Sequence, residues 1–267
     1  MKEKQTTSKR YGLEKEHMHI LSFETATYSG GVGLLTAEDS ACAGPFDSRS
    51  SSREVLTAAN RLLAEEDCTL NDIDLVAVST GPGLFTGVRI GMAIAQTLSF
   101  AGGSKPLLTG VSTLEAVALL ALDAQPGLQA GDGIVAVTDA RRGEVYAALF
   151  EVARGKEGFE LRRCSEDLVA RPDLIAEWLL AKWHGSQTLW LTGDGALRYR
   201  DVLPPTFGPH ACLIETTTKP LPLAVAEIGR RQMLAGESVQ PGALRPHYVR
   251  RPDARPALLI PSAIEIA

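Results

Sequence analysis

Apolar residues cluster into short runs between glycine and proline turns, and the period of those runs changes along the chain. Residues 19–25 (HILSFET) run apolar as a buried strand does, and 31–37 (GVGLLTA) repeat the pattern. The turn chemistry of Ala26-Thr27-Tyr28-Ser29-Gly30 between them predicts a hairpin. A third strand over 41–46 is confined to a sheet edge or strand end by Pro45. The period then becomes helical. Ser51 and Glu54 have capping-box spacing, and a helix is expected from there to about Glu66. Val55, Leu56, Ala59, Leu62 and Leu63 form its apolar stripe, with Arg53, Asn60, Arg61 and Glu65 on the wet face. Residues 73–79 (IDLVAVS) read as a parallel strand buried on both faces. A turn, Thr80-Gly81-Pro82-Gly83, follows, then a helix over 86–100, a strand at 106–109 and a helix at 112–122.

Pro126-Gly127 and Gly131-Asp132-Gly133 break the pattern, and beyond them the order restarts. Strands are expected at 134–139, 144–151 and 158–163, a helix at 172–182, a strand at 188–192 and a short helix near 196–201. This recurrence predicts an α/β protein of two related lobes, although no residue-level repeat is visible. The N-terminal lobe is expected over 19–113, completed by a helix at 221–236, and the C-terminal lobe over 114–220. Residues 1–18 read as a disordered N-terminal extension. Residues 241–267, proline-rich and carrying Arg245, Arg250, Arg251 and Arg255, read as a surface tail.

Composition narrows the function classes. The 267 residues carry a formal charge of -5, which excludes an unaided grip on nucleic acid, because phosphate neutralisation requires a basic footprint. Cys42, Cys68, Cys164 and Cys212 are scattered without a CxxC, so reduced thiols are expected rather than a disulfide scaffold or a zinc knuckle. No apolar run approaches the ~18–20 residues of a membrane span, and the first residues lack the apolar core of a secretory signal. A cytoplasmic protein is expected, with no membrane contact.

The most informative stretch is Ser79-Thr80-Gly81-Pro82-Gly83-Leu84-Phe85-Thr86-Gly87-Val88-Arg89-Ile90-Gly91. It is not a Walker A loop, which needs a lysine, and it misses GxGxxG by Thr86. The acidic residue of a dinucleotide site is also absent about 20 residues on, where Ser104-Lys105-Pro106-Leu107 stand. From Val88 to Phe100 only Arg89, Gln96, Thr97 and Ser99 are polar. Such a helix is either buried within its own lobe or covered by a partner. Gly87, Gly91 and Ala95 form a row of small residues, and Ile90, Ile94 and Leu98 form the row beside it.

GPGLFTGVRIGMAIAQTLSF followed by GVSTLEAVA resembles the TsaB (YeaZ) family, the dimerisation subunit of the bacterial complex that makes N6-threonylcarbamoyladenosine in tRNA. ILSFETAT, the segment Asp139-Ala140-Arg141-Arg142-Gly143-Glu144-Val145-Tyr146, and Pro246-His247-Tyr248-Val249-Arg250 resemble further segments of that family, so the similarity spans about 19–251. The resemblance implies the two-lobed, ribonuclease-H-like fold of actin and the sugar kinases. In such kinases acidic residues after the first strand of each lobe hold metal and phosphate. The matching positions here are Glu24 and Asp139, and Asp194 lies in a loop that in kinase-type folds faces the nucleotide base. Glu24 departs from the usual aspartate, and an acid satisfied by its own turn explains it as well.

TsaD, the catalytic relative, holds a metal through paired histidines, and the matching segment here, Gly110 to Ala118, contains none. His17, His19, His184, His210 and His247 lie elsewhere, and no nucleophile elbow or low-pKa cysteine setting is visible. No catalytic residue, metal or cofactor is therefore expected. The resemblance implies a scaffold that pairs with a TsaD-like subunit, with a TsaE-like ATPase joining, tRNA met only through the complex, and a homodimer as a further form when alone. The expected partner contacts are Thr86, Arg89, Ile90, Ala93, Ile94 and Thr97, with Leu56, Asn60 and Leu63 from the first long helix. The alternative is a sugar-kinase-type phosphotransferase built on Glu24, Asp139 and Asp194.

Overall fold

Two apolar strands, Ile20–Glu24 (β1) and Gly31–Leu35 (β2), pair antiparallel, with Ile20 opposite Leu35 and Glu24 opposite Gly31. These come from a computed structural model that describes residues 18–28, 30–46, 52–102, 106–155, 158–185, 187–215 and 219–250. Residues 1–17 of the expected extension, Ser51 of the capping box, and Arg251 and Arg255 of the expected tail lie outside the described residues. Met18 is buried in the core.

Ser40–Ala43 (β3) takes the outer edge against β2, where Pro45 just beyond it does no damage to a ladder. Helix α1 (Ser52–Glu65) precedes Leu75–Gly81 (β4), which pairs parallel with β1, and Leu107–Ser112 (β5) pairs parallel with β4. Between β4 and β5 runs α2 (Phe85–Ala101), and α3 (Thr113–Ala124) follows β5. The first sheet therefore has the order β3-β2-β1-β4-β5.

The second sheet repeats that order. Gly133–Arg141 (β6), Glu144–Gly155 (β7) and Gly158–Arg163 (β8) form an antiparallel meander. Leu189–Thr192 (β10) and Ala211–Leu213 (β11) add parallel strands on the other side, giving β8-β7-β6-β10-β11. Leu168–Ala170 (β9) extends the free edge of β7 past β8. Three short helices, Ile175–Leu180 (α4), Asp194–Arg198 (α5) and Leu203–Phe207 (α6), and the long Leu221–Leu234 (α7) complete the described strands and α-helices. Two sheets with one strand order, each flanked by helices, make the two-lobed ribonuclease-H-like arrangement.

The layering explains the apolar runs. Helices α1 and α2 cover one face of the first sheet, with Leu21, Phe23, Val76, Val78, Val88 and Leu62 in that core. Helices α3 and α7 lie between the sheets, where Ile20, Leu114, Leu119, Phe150 and Val225 belong to one continuous cluster. The short helices cover the far face of the second sheet. Because α7 packs on β1, β2, β4 and β5 from the far end of the sequence, the first sheet is complete only when the chain returns. The strands β1, β4 and β6 are buried on both faces, hence their near-continuous Val, Ile and Leu.

Of the expected tail at 241–267, the described part 241–250 does not lie free. Leu244 is buried in the first core, the Gln96 amide donates to the Pro241 carbonyl at 2.6 Å, and the His247 N–H donates to the Thr80 carbonyl.

Candidate functional site

The glycine turn and α2 are shaped by the hairpin turn after β1. A Cβ on Gly83 would strike the Ala26 carbonyl oxygen, one on Gly87 the Thr25 carbonyl oxygen, and one on Gly91 the Thr25 hydroxyl. That hydroxyl donates to the Gly87 carbonyl at 2.7 Å, and the Leu84 N–H donates to Ala26 at 2.7 Å. The glycine row is thus a seat for Thr25-Ala26 of the same chain. It needs neither a phosphate nor a second chain to explain it. Gly87→Ala is expected to destabilise the protein by about 3 kcal/mol, the upper end for an overpacked core, as measured by urea unfolding.

With the small row turned inward, the opposite side of α2 is open. Thr86, Arg89, Ala93 and Thr97 are exposed and Ile90 is half-buried. Together with Ser52, Leu56, Phe85, Ile94 and Leu98 they line an apolar groove of about 520 Å³. Seven of the expected contact residues meet there: Leu56, Thr86, Arg89, Ile90, Ala93, Ile94 and Thr97. Three placements differ from the expectation. Leu56, expected inside the apolar stripe of α1, is 37% exposed on the groove rim, and Ala58 takes its place in the core. Ile94, although it touches the groove, is 6% exposed and belongs to the chain's own core, as does Leu63 at 8%. A charge at Ile94 therefore tests folding before it tests docking. Asn60 is exposed on α1 and is not among the groove residues.

One end of the groove carries a cluster that sequence reading missed. Phe85 and Tyr248 stack with ring centroids 5.1 Å apart, and the Arg89 guanidinium lies 3.8 Å from the Phe85 centroid. Arg89 Nε donates to the Tyr248 hydroxyl at 2.9 Å. Tyr248 is remote in sequence, and its only signal was its place in the Pro246–Arg250 segment.

The second candidate is the cleft between the lobes, a cavity of about 450 Å³ near the C-terminal ends of β6 and β10. Val117, Leu120, Ile214 and Leu221 give it apolar walls, with Thr138, Thr192 and Asp194 among its polar lining residues. Lys219, which also lines it, is paired with Asp123 at 2.7 Å. Of the three expected acids only Asp194 reaches this lining. Its Oδ1 accepts from the Asp139 N–H at 3.2 Å and the Gly195 N–H at 2.9 Å, and burial holds its carboxyl above the ordinary range. The Asp139 carboxylate caps its own turn by accepting from the Arg141 N–H at 3.0 Å and faces Arg198 at 3.7 Å.

Glu24 is 0% exposed. Its Oε1 accepts from the Ala26 N–H at 2.8 Å and its Oε2 from the Thr27 hydroxyl at 2.7 Å. Burial pushes its carboxyl above the usual value, and these hydrogen bonds pull it only part of the way back. A native state that holds this proton more tightly than the unfolded chain is most stabilised below the ordinary carboxylate pKa of 4.5 and loses that share as pH rises through the native value. Glu24→Gln, which carries no charge, is expected to flatten the fall of the melting temperature with rising pH. Glu24→Ala leaves two buried donors unpaired and is expected to destabilise by roughly 2–4 kcal/mol, read by thermal melts across pH.

Among the described residues, no three His, Cys, Asp or Glu side chains converge to hold a metal ion, and no helix is long and apolar enough to cross a membrane.

Comparison with known proteins supplies the family. The family model described as TsaD, tRNA N6-adenosine threonylcarbamoyltransferase, matches residues 46–158. A Haemophilus influenzae protein, tRNA threonylcarbamoyladenosine biosynthesis protein TsaB, is 32% identical over 59% of this chain and 66% of its own length. The Escherichia coli protein of the same description is 31% identical over 85% of this chain and 95% of its own. The chain belongs to the TsaB family. A Pseudomonas aeruginosa crystal structure, described as an uncharacterized protein with similarity to peptidase YEAZ, superposes with a TM-score of 0.70 at 25% identity. That match covers 87% of this chain and 100% of the other. The matched TsaD region contains α1, the glycine turn, α2, α3 and the β6–β7 hairpin, so both helices of the groove lie inside it.

Proposed function

We propose that this chain is a non-catalytic scaffold and activator in tRNA N6-threonylcarbamoyladenosine synthesis, docking through the α1–α2 groove onto a TsaD-family threonylcarbamoyltransferase. The partner transfers the threonylcarbamoyl group to N6 of adenosine 37 in tRNAs that read codons beginning with A, and a TsaE-family ATPase joins the assembly. The observation that carries this reading is the open face of α2: a strand-flanked helix in a monomer normally turns its apolar surface inward, yet Leu56, Phe85 and Ile90 border an exposed groove. Helix-in-groove packing of a partner's helices fits such a surface. The formal charge of -5 suits a subunit that meets tRNA through its complex rather than directly.

Membership of the TsaB family supports the pathway, and the TsaD-family match over α1 and α2 supports a partner built on related helices. The phosphotransferase alternative is disfavoured by Glu24, which does not line the cleft and whose two carboxylate oxygens are engaged by its own turn. Co-expression with a TsaD-family subunit, followed by size-exclusion with light scattering, is expected to give a 1:1 complex. Titration of the isolated chain with Mg-ATP is expected to show no hydrolysis. Turnover by the isolated chain would favour the kinase reading instead.

A further inference from the structure

The described end of the chain, 244–250, crosses between the lobes, and its side chains alternate between them. Leu244 sits in the first core, and the His247 N–H donates to the Thr80 carbonyl at 2.8 Å. The His247 ring then faces the second lobe, with Nε2 3.0 Å from Asp167, whose carboxylate also accepts from Arg163. Tyr248 returns to the docking groove, against Phe85 and Arg89. Val249 packs on the core between the sheets. Arg250 reaches the β6–β7 hairpin, where one nitrogen donates to the Ala140 carbonyl at 2.8 Å and another to the Glu144 carboxylate, with the guanidinium 5.8 Å from the Tyr146 centroid.

The hairpin is shaped for this. Arg141, Arg142 and Gly143 all have positive φ, at 61°, 59° and 79°, which turns the chain tightly enough to present the Ala140 carbonyl and Glu144 to one guanidinium. On its other side the same tip holds the first lobe, as Arg141 donates to the Tyr28 hydroxyl and lies 4.1 Å from that ring.

We propose that 244–250 is a strap that positions the rim of the docking groove, and that Arg250 is its positioning residue. Anchored on the hairpin, Arg250 holds Tyr248 where it accepts from Arg89 and stacks on Phe85. An arginine on a flexible stem is thereby ordered before any partner arrives, which spares that ordering on binding. Groove and hairpin are then energetically coupled, and the coupling is reciprocal: docking steadies the lobes, and loosening the hairpin weakens docking. A forked guanidinium suits acceptors at two places on the hairpin, and a lysine ammonium has no equivalent geometry. The affinity part of this inference rests on the docking reading above; the ordering part does not.

The test uses the full-length protein and the variants Glu144→Gln, Arg250→Lys and Tyr248→Ala, with amide exchange and affinity for a TsaD-family subunit as readouts. Glu144 touches neither α2 nor the groove, so a purely local role predicts no change there. The strap predicts at least tenfold faster exchange at 247–249 and in the first turn of α2, and about tenfold weaker affinity, in both Glu144→Gln and Arg250→Lys. It also predicts that Glu144→Gln adds no further loss in the Tyr248→Ala background. Affinity within twofold of wild type, or additive losses, would overturn it. If the wild-type chain binds no such subunit, the docking reading fails, and unchanged exchange in α2 of Glu144→Gln would then overturn the strap as well.

Discussion

An Ala93→Arg protein is expected to fold and melt like the wild type yet bind a TsaD-family subunit at least about a hundredfold more weakly, a loss of roughly 2.8 kcal/mol. Ala93 is exposed at the groove on α2 between Arg89 and Thr97, and arginine is a good helix former at a solvent-facing position. Nothing inside the chain has to move to admit it. A partner helix seated in the groove would meet a long charged side chain where it had met a methyl group. Titration calorimetry reads the affinity and a thermal melt controls for folding. Ile94→Asp gives the instructive contrast, because Ile94 is already in the core and an aspartate there buries an unpaired charge in the chain itself. That variant is expected to lose stability whether or not a partner exists.

Phe150→Ala is expected to remove about 3–5 kcal/mol of stability and to unfold both lobes in a single transition. Phe150 is 1% exposed on β7, within the cluster that also holds Ile20 and Leu75 of the first sheet and Leu114 and Leu119 of α3. A cavity there weakens both sheets, since neither has that layer to itself. Trp178, Trp183 and Trp190 all lie in the second lobe, so tryptophan fluorescence reports on that side. Exchange of β1 and β4 amides reports on the other. The two probes should give the same urea midpoint in wild type and variant. First-lobe amides that stay protected after the fluorescence change would contradict a shared core.

The elements legible in the sequence are those whose burial is uniform. The strands β1 and β4 and the helices α1, α2 and α7 stand near their expected limits because a fully buried strand or a one-sided helix leaves its period in the residues. The short pieces β9, α6 and β11 were missed, since Leu168–Ala170, Leu203–Phe207 and Ala211–Leu213 are each too brief to carry a period. Leu56 and Ile94 show a further limit. Both are large apolar residues on helices, and spacing alone does not say that a core already reaches Ile94 and stops short of Leu56. The glycine row Gly87, Gly91 and Ala95 announced a close approach, and the structure supplies the approaching group as Thr25 of the same chain. The Tyr248–Arg89–Phe85 cluster joins positions far apart in the sequence and has no local signature.

Two surfaces compete for the role of binding site: the open face of α1 and α2, and the cleft, near which the acids serve the chain's own turns. Amide exchange of the wild-type protein, with and without a saturating TsaD-family subunit, separates them. New protection is expected over 52–60 and 85–98, with the cleft positions Thr138 of β6 and Thr192 of β10 unaltered. Protection that appears at those cleft positions and leaves α2 untouched would contradict the docking reading.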